Sequence, residues 1–251
     1  GKSFKILISK NIVVKKGLLK NETNDFYSTY FFNRINKLPF ITGKIATTKN
    51  NLIHTKDSKK ITDIHSDKLN HYLRYKNDSL MVSYKTLNID NPKLNCRLKG
   101  FNKFSPRRII LDSDLNTKIN SYIFKTANKN NTIIFYNSAN KKKITLFKKK
   151  GIQLIKSNLI KNKYFDLNLI IKKLYKIGCR NLLVEGGDIL SGSFLEDKIF
   201  NQFYLFKSKK ILNKSTSYTG FNNIRFLIQN YKTKSKINTK LGKDTITLYK
   251  R

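Results

Sequence analysis

A single acidic residue stands where an apolar segment ends and a glycine pair begins. Glu185 follows the apolar run NLLV, precedes Gly186 and Gly187, and is followed by DILSGSFLEDK, which has a helical pattern. In an open α/β sheet, ligands bind outside the carboxyl ends of the strands, where glycine permits close approach and a helix start offers unpaired N–H groups. Two interpretations are open: a ligand site with Glu185 as acceptor or proton donor, or a plain strand–turn–helix connection whose acid pairs with a surface lysine.

A second polar cluster follows the apolar run SLMVSY. Thr86, Asp90, Pro92 and Arg97 are expected to share one loop, in which the proline restricts the backbone and aims a carboxylate and a guanidinium into one pocket. Arg74, at the end of the preceding predicted helix, is placed to join Arg97 on a phosphate, because the guanidinium fork matches phosphate geometry. The alternative is an ordinary surface loop.

Several other kinds of site are not indicated. His54, His65 and His71 are not spaced for a shared metal ion, so no metal site is predicted. The zinc-deaminase pattern, the P-loop, G-x-S-x-G and the dinucleotide fingerprint G-x-G-x-x-G are all missing from the sequence. Cys96 and Cys179 are isolated and are expected to be free thiols in a reducing compartment.

The composition is strongly basic, with 52 Lys+Arg against 15 Asp+Glu and a net charge of +37. One interpretation is a nucleic-acid-binding protein, since neutralising phosphates drives association. The other is a solvated lysine surface produced by an AT-rich coding sequence. The lysines are dispersed, and the densest runs, at 141–143 and 148–150, flank a strand-like ITLF and are expected at loop ends. We therefore expect no nucleic-acid partner.

Apolar patterns along the chain alternate between strand and helix types and predict an α/β fold. The sheet is expected to be mostly parallel, with flanking helices and an antiparallel C-terminal edge. Helices are predicted over 21–35, 62–77, 165–178 and 188–198. Strands are predicted over 11–19, 40–48, 79–84, 107–113, 132–138, 151–157, 181–187, 202–212, 224–235 and 244–250. No run approaches the 18 or so apolar residues of a membrane span, so we expect a cytoplasmic protein with no membrane partner.

Four motifs occur in an order that is typical of one family. LPFITGKIATTKNN (38–51) corresponds to K-x-[AG]-x-S-x-D-G, TLNIDNPKLNCR (86–97) to T-[VL]-x-x-D-[DN]-P-x-L-x-x-R, RRIILDS (107–113) to R-[IV]-[IV]-[IVL]-D-S, and LLVEGGDILSGSFL (182–195) to a pattern built on E-G-G. With them, the chain from Leu38 to Lys250 resembles the C-terminal reductase domain of the bacterial riboflavin-biosynthesis deaminase–reductase family.

The N-terminal residues carry a second resemblance. NIVVKKGLL followed by YFFNRI is similar to the end of the deaminase domain of the same family. We therefore expect residues 1–37 to be a remnant of a deaminase domain and linker, and residues 38–251 to be the reductase domain. The zinc-binding part of a deaminase is not in this sequence, so we expect a fragment or a chain that has lost its deaminase.

The resemblance implies a dihydrofolate-reductase-like fold, a homodimer, and one reaction. That reaction is the NADPH-dependent reduction of 5-amino-6-(5-phosphoribosylamino)uracil, a phosphorylated pyrimidine, to 5-amino-6-(5-phosphoribitylamino)uracil. Asp90 and Glu185 are the acids that it places to organise proton delivery, with Asp90 favoured as catalytic. The expected substrate-binding residues are Ser58, Arg74, Leu94, Arg97 and Glu185. The expected NADPH-binding residues are Ala46, Lys60, Thr86, Asp90, Ser113, Gly187, Asp188, Ile189, Leu190, Ser191, Gly192 and Ser193.

Some positions depart from the family pattern. The segment corresponding to S-x-D-G reads TKNN at residues 48–51, where we expect Asn51 to take the left-handed conformation that a glycine held. Lys60 replaces a bulky residue, and its charge is expected to meet a phosphate of NADPH. These departures leave open a catalytically weakened reductase-like scaffold.

Overall fold

The computed structural model of the chain describes residues 1–54, 60–161, 163–212, 219–238 and 242–251. The strands in these ranges are β1 (Phe40–Thr47), β2 (Leu52–His54), β3 (Ser79–Ser83), β4 (Arg107–Leu111), β5 (Thr132–Tyr136), β6 (Gln153–Lys156), β7 (Leu159–Ile160), β8 (Tyr164–Phe165), β9 (Asn181–Glu185), β10 (Gln202–Lys207), β11 (Thr219–Gly220), β12 (Thr233–Ile237) and β13 (Thr245–Lys250). The α-helices are α1 (Lys2–Ser9), α2 (Lys20–Phe26), α3 (Ser28–Asn36), α4 (Ile64–Lys76), α5 (Tyr84–Asp90), α6 (Tyr122–Lys125), α7 (Lys141–Lys149), α8 (Leu167–Lys176), α9 (Asp188–Glu196) and α10 (Ile224–Asn230).

A large central sheet organises the described residues. Its strand order is β12-β13-β10-β1-β9-β3-β4-β5-β6. All neighbouring strands from β10 to β6 run parallel, whereas β13 and β12 join antiparallel at one end. The predicted mostly parallel α/β sheet with an antiparallel C-terminal edge is therefore confirmed.

Both faces of the sheet are buried, as expected where crossover helices cover a parallel sheet. Side chains alternate between the two faces along a strand, so Val184 packs into one core cluster with Met81 while Leu183 packs into the other with Leu80. All four are 0% exposed. This rigid sheet brings the carboxyl ends of β1, β9, β3 and β4 to one edge.

The sheet register also pairs two charged residues. β1 and β9 run parallel with Lys44 directly opposite Glu185. Because the side-chain period of a strand is two, both residues point to the same face, and a slip of one residue would turn either one away.

Side-chain caps set the start of the helices that approach the site. Asp63 accepts a hydrogen bond from the Ser66 N–H (2.8 Å) at the start of α4, and Ser83 accepts one from the Thr86 N–H (3.4 Å) at the start of α5. Such caps satisfy backbone donors that the first helical turn leaves unpaired. α8 ends before Gly178, whose φ of 96° fits the predicted glycine stop.

Four predicted elements are wrong. Residues 11–19 form no strand, and Val13 is 90% exposed, because no described strand lies beside this apolar run. Residues 84–90 form α5, so the cluster that ends at Arg97 is a helix followed by a loop. The strand-like ITLF lies inside α7, where only Phe147 is buried and the lysines flank it along the helix. Within 224–235, the first seven residues form α10, whose buried Leu227 gives it a helical rather than a strand face.

A buried amide, Asn33 on α3, is one of the contacts between the N-terminal helices and the sheet domain. The Phe32–Phe40 ring contact and the Asp25–Lys250 ion pair are others. Asn33 on α3 donates from Nδ2 to the backbone carbonyls of Leu38 (2.8 Å) and Arg180 (3.0 Å). The backbone carbonyl of Asn33 accepts from the Tyr175 hydroxyl (3.1 Å). The boundary at residue 37 stays a prediction.

Within the described ranges, no helix is long and apolar enough to cross a bilayer, and no group of three or more His, Cys, Asp or Glu side chains is placed to hold a metal ion. Both cysteines are free, as predicted, and the structure buries both.

The cap of α4 gives the fold an acid-sensitive contact. Burial opposes ionisation of Asp63, but N–H groups of Ser66, Lys243 and Asp244 outweigh it and lower the pKa of Asp63 from 3.8 to about 2. A lowered carboxyl pKa stabilises the fold above pH 3.8, and this contribution disappears as the pH falls through 2. Solvent screening keeps it at about 1 kcal/mol or less.

We therefore expect Asp63→Asn to lower the melting temperature at pH 6 and to have progressively less effect toward pH 2. Thermal unfolding of both proteins across that range is the measurement. Melting curves that stay equally separated at every pH would show that ionisation of Asp63 contributes nothing.

Candidate functional site

A cleft of about 1410 Å³ lies at the carboxyl ends of the central strands. The start of α9 forms one wall, and α5 and the β7–β8 hairpin supply others. Single small-molecule pockets span roughly 300–1,000 Å³, so the cleft has room for two ligands side by side. The predicted site residues that line it are Ala46, Arg74, Thr86, Asp90, Leu94, Ser113, Glu185, Gly187, Asp188, Ile189, Leu190, Gly192 and Ser193.

Among the described residues, three predicted site residues do not line this cleft. Arg97 instead lines an adjoining pocket of about 360 Å³ with Arg74, Pro92 and Lys93. Lys60 is exposed and forms an ion pair with Asp67. Ser191 is buried on the inner side of α9, and Ser58 lies outside the described residues.

Glu185 pairs with Arg74 across the cleft floor. Arg74 donates from Nε to Oε1 (2.8 Å) and from Nη2 to Oε2 (2.7 Å), so the guanidinium grips the carboxylate with two parallel bonds. The side chains are only 8% and 13% exposed. A third donor, Nη1, bonds the carbonyl of Asn95 (3.1 Å). The acid therefore pairs with a buried arginine and not with a surface lysine.

Charges around this pair fix its protonation state. Burial alone would raise the pKa of Glu185, but Arg74, and then Lys44, outweigh that effect and hold it below its ordinary value. Burial lowers the pKa of Lys44, and the Glu185 carboxylate only partly restores it. At neutral pH the floor of the cleft thus holds the Glu185 carboxylate beside Lys44, whose ammonium form gives up its proton more readily than that of a solvated lysine.

A buried aspartate shapes the loop that presents Ser113. Asp112 is the next-to-last residue of the RRIILDS motif and is 0% exposed. Its carboxylate accepts from the N–H of Asn116 (2.8 Å), the N–H of Thr117 (2.7 Å) and the Thr117 hydroxyl (2.8 Å). This network fixes the turn after β4, and Ser113 at its start lines the cleft.

The start of α9 is open toward the cleft. Gly187 is its N-cap, no side chain caps the first turn, and a Cβ placed on Gly187 would meet no atom within 4 Å. The Asp188 side chain bonds the N–H of Asn223 (3.0 Å), while Nδ2 of Asn223 donates to the carbonyl of Asp188 (3.2 Å). A Cβ on Gly192 would collide with the Asn223 amide, so glycine is needed there for this close contact.

Leu94 lies at the junction of the cleft and the loop in an unusual conformation. It is 2% exposed and has a φ of 49°, in the left-handed region that costs a non-glycine residue about 1 kcal/mol or more. Asn91, which ends α5, is also left-handed with a φ of 43°. Asn51, in the segment that departs from the family pattern, has a φ of 61°, as predicted.

Several cleft residues were not predicted from the sequence. Lys44 is the most informative, because it lies two positions before Ala46 and therefore on the same face of β1. Lys44 is the first residue of the K-x-[AG] motif, and this position could have identified it as a cleft residue from the sequence. Asn70 lies one helical turn before Arg74 and lines the cleft, whereas Asn223 had no local signal because it lies in none of the four motifs and just before the predicted strand at 224–235.

Comparison with known proteins identifies the family. A family model described as the RibD C-terminal domain matches residues 43–245. The chain belongs to this family. Riboflavin biosynthesis protein RibD of Aquifex aeolicus is 31% identical over 253 residues, covering 100% of the chain and 68% of that protein. A 2,5-diamino-6-ribosylamino-4(3H)-pyrimidinone 5′-phosphate reductase of Debaryomyces hansenii is 27% identical over 194 residues, covering 72% of the chain and 78% of that protein.

Solved structures agree on the fold. RibD of Acinetobacter baumannii superposes with a TM-score of 0.78 at 17% identity, covering 100% of the chain and 68% of that protein. The riboflavin biosynthesis reductase Rib7 of Saccharomyces cerevisiae gives a TM-score of 0.67 at 20% identity, covering 91% of the chain and 99% of that protein. The chain thus spans about two thirds of RibD but nearly all of Rib7. The expected reductase-domain fold is confirmed.

The buried pair predicts a strong energetic coupling. Glu185→Gln leaves Arg74 as an uncompensated buried cation and is expected to lower the free energy of unfolding by about 3 kcal/mol. Replacing both partners, as in Arg74→Met with Glu185→Gln, should cost less than the sum of the two single changes. Urea unfolding of the three variants tests this, and strictly additive losses would refute the coupling.

Proposed function

We propose that the chain is a cytoplasmic NADPH-dependent oxidoreductase that reduces 5-amino-6-(5-phosphoribosylamino)uracil to 5-amino-6-(5-phosphoribitylamino)uracil. The observation that carries the proposal is the convergence of Arg74, Glu185 and Asp90 at one cleft, in a chain of the RibD C-terminal domain family. Relatives named as riboflavin biosynthesis and pyrimidinone 5′-phosphate reductase proteins support it.

The smaller pocket suits the phosphate of this substrate. Arg74, Lys93 and Arg97 line it, so three cations meet at one concave surface. Arg97 uses Nη1 to bond Asn95 Oδ1 at 3.0 Å. A guanidinium carries five N–H donors in a planar fork, so this bond leaves Arg97 able to donate to a phosphate.

The larger cleft fits a nucleotide cofactor. The open N-terminus of α9 at Gly187 offers backbone N–H groups and the positive end of a helix dipole, which together bind phosphates. Lys85, Lys161 and Lys163 line other walls and add positive charge. When bound, NADPH supplies the hydride of the reduction.

The residues at the cleft floor organise the transfer of the proton that accompanies the hydride. In the ring-opened substrate, the double bond between C1′ and its nitrogen takes the hydride at C1′ and one proton at nitrogen. Glu185 is ionised and accepts hydrogen bonds, while the lowered pKa of Lys44 makes its ammonium a ready proton source. Asp90 lines the same cleft at the end of α5 and acts with Glu185 to organise this transfer.

The test follows NADPH absorbance while substrate is generated freshly by a separate deaminase. We expect substrate-dependent oxidation, with kcat reduced about a hundredfold or more in Asp90→Asn and Glu185→Gln. Asp25→Asn, which changes an exposed acid on α2, is the matched control and should retain full rate. The assay is run where circular dichroism shows each variant folded.

Two results would contradict the proposal in different ways. If the chain binds NADPH but shows no substrate-dependent oxidation, it is a reductase-like scaffold without activity. If it neither binds NADPH nor turns over substrate, the proposed cofactor is wrong as well. Parallel assays with NADH measure the preference for NADPH. Sedimentation tests the homodimer that is proposed from the family resemblance.

The contact between α9 and Asn223 predicts a cofactor-specific defect. Gly192→Ala should push the Asn223 amide away from Asp188 and raise the KM for NADPH several-fold, because the wall beside the cofactor shifts. Asn223→Ala removes the obstructed group, so adding Gly192→Ala to it should cause little further change. Equal effects of Gly192→Ala in both backgrounds would refute this explanation.

A further inference from the structure

His71 is a buried residue that contacts the backbone of Arg97, a residue that lines the phosphate pocket. It lies on α4 one helical turn before Arg74 and is 8% exposed. The backbone N–H of Arg97 donates to its Nδ1 at 3.3 Å, and the Cys96 thiol donates to its backbone carbonyl at 3.5 Å. The segment that ends in Arg97 is therefore held against α4 at this histidine.

The imidazole of His71 is neutral. Burial, followed by the charges of Arg74 and Arg97, lowers the pKa of His71 to about 4, against opposing contributions from the Asn95 backbone and Glu185. A neutral imidazole has one acceptor nitrogen, whereas an imidazolium has none. Acceptance of the Arg97 N–H thus requires the uncharged state, which the two flanking arginines maintain.

The same segment also holds the two arginines in relation to each other. The carbonyl of Asn95 accepts from Arg74 Nη1 (3.1 Å), and its side-chain oxygen accepts from Arg97 Nη1 (3.0 Å). The backbone of residues 95–97 is thus fixed at both ends, by Arg74 at Asn95 and by His71 at Arg97. The phosphate pocket depends on where this short backbone lies.

We propose that His71 is a positioning residue for substrate recognition, which through its Nδ1 acceptor holds the Arg97 backbone so that the Arg97 and Arg74 guanidinium groups face one phosphate. This inference rests on the proposed function and assigns His71 no part in hydride or proton transfer. It predicts a defect in phosphate affinity that is separate from the chemical step.

The experiment compares three variants of the full chain. His71→Leu removes the acceptor and keeps an apolar side chain of similar size, whereas His71→Asn keeps an acceptor near the Nδ1 position. His65→Asn, on the same helix but outside both cavities, is the matched control. For each variant we measure kcat, the KM for substrate, the competitive inhibition constant of inorganic phosphate, and the melting temperature.

We expect His71→Leu to raise the substrate KM and the phosphate inhibition constant together by about tenfold, the effect of losing one hydrogen bond. kcat should stay within about twofold of the wild-type value. The variant loses binding energy that is common to the substrate and the transition state, and such a loss raises KM without lowering kcat. His71→Asn and His65→Asn should remain near wild type. If His71→Leu does not fold, His71→Gln, whose acceptor is displaced by one methylene, replaces it.

Three outcomes would overturn the inference: unchanged KM and phosphate inhibition in a folded His71→Leu variant, equal losses in the Leu and Asn variants, or a fall in kcat with unchanged KM. These are distinct from failure of the proposed function, which would appear first as a wild-type chain that shows no substrate-dependent NADPH oxidation.

Discussion

The buried pair of Arg74 and Glu185 is the interaction on which the site is built. It joins α4 to the end of β9 with two short bonds in a region from which water is largely excluded. A pair of this kind is costly to form and costly to break, because each charge loses its hydration and then depends on its partner. The position of α4 and of its side chains therefore depends on one carboxylate at the carboxyl end of β9.

The helix α4 contributes side chains to two regions of the candidate site. Arg74 faces both the large cleft and the phosphate pocket, while His71, one turn earlier, contacts the loop that carries Arg97. A substrate that places its base in the cleft and its phosphate in the pocket would span both regions. A single helix would then position both ends of that ligand, which would limit the entropy lost on binding.

Much of the fold could be predicted from the sequence because the parallel strands are continuous apolar runs. β3, β4, β5 and β9 were located this way. The short helix α5 was missed because its polar sequence resembles a loop and only the cap by Ser83 marks its start. The motif residues of the cleft were found, but their contacts were not. Arg74 and Glu185 lie 111 residues apart, and no local pattern indicates that their side chains meet. No local pattern marks His71 either, because the backbone N–H that contacts it belongs to Arg97, 26 residues away.

The register of β1 against β9 has a consequence for how the protein is made. Lys44 and Glu185 become neighbours only when two strands separated by roughly 140 residues align in the completed sheet, and such distant contacts form late in folding. A nascent chain still emerging from the ribosome holds Lys44 long before the partner strand exists. At that stage Lys44 has no Glu185 carboxylate beside it. The floor of the cleft is completed only when β9 takes its place between β1 and β3.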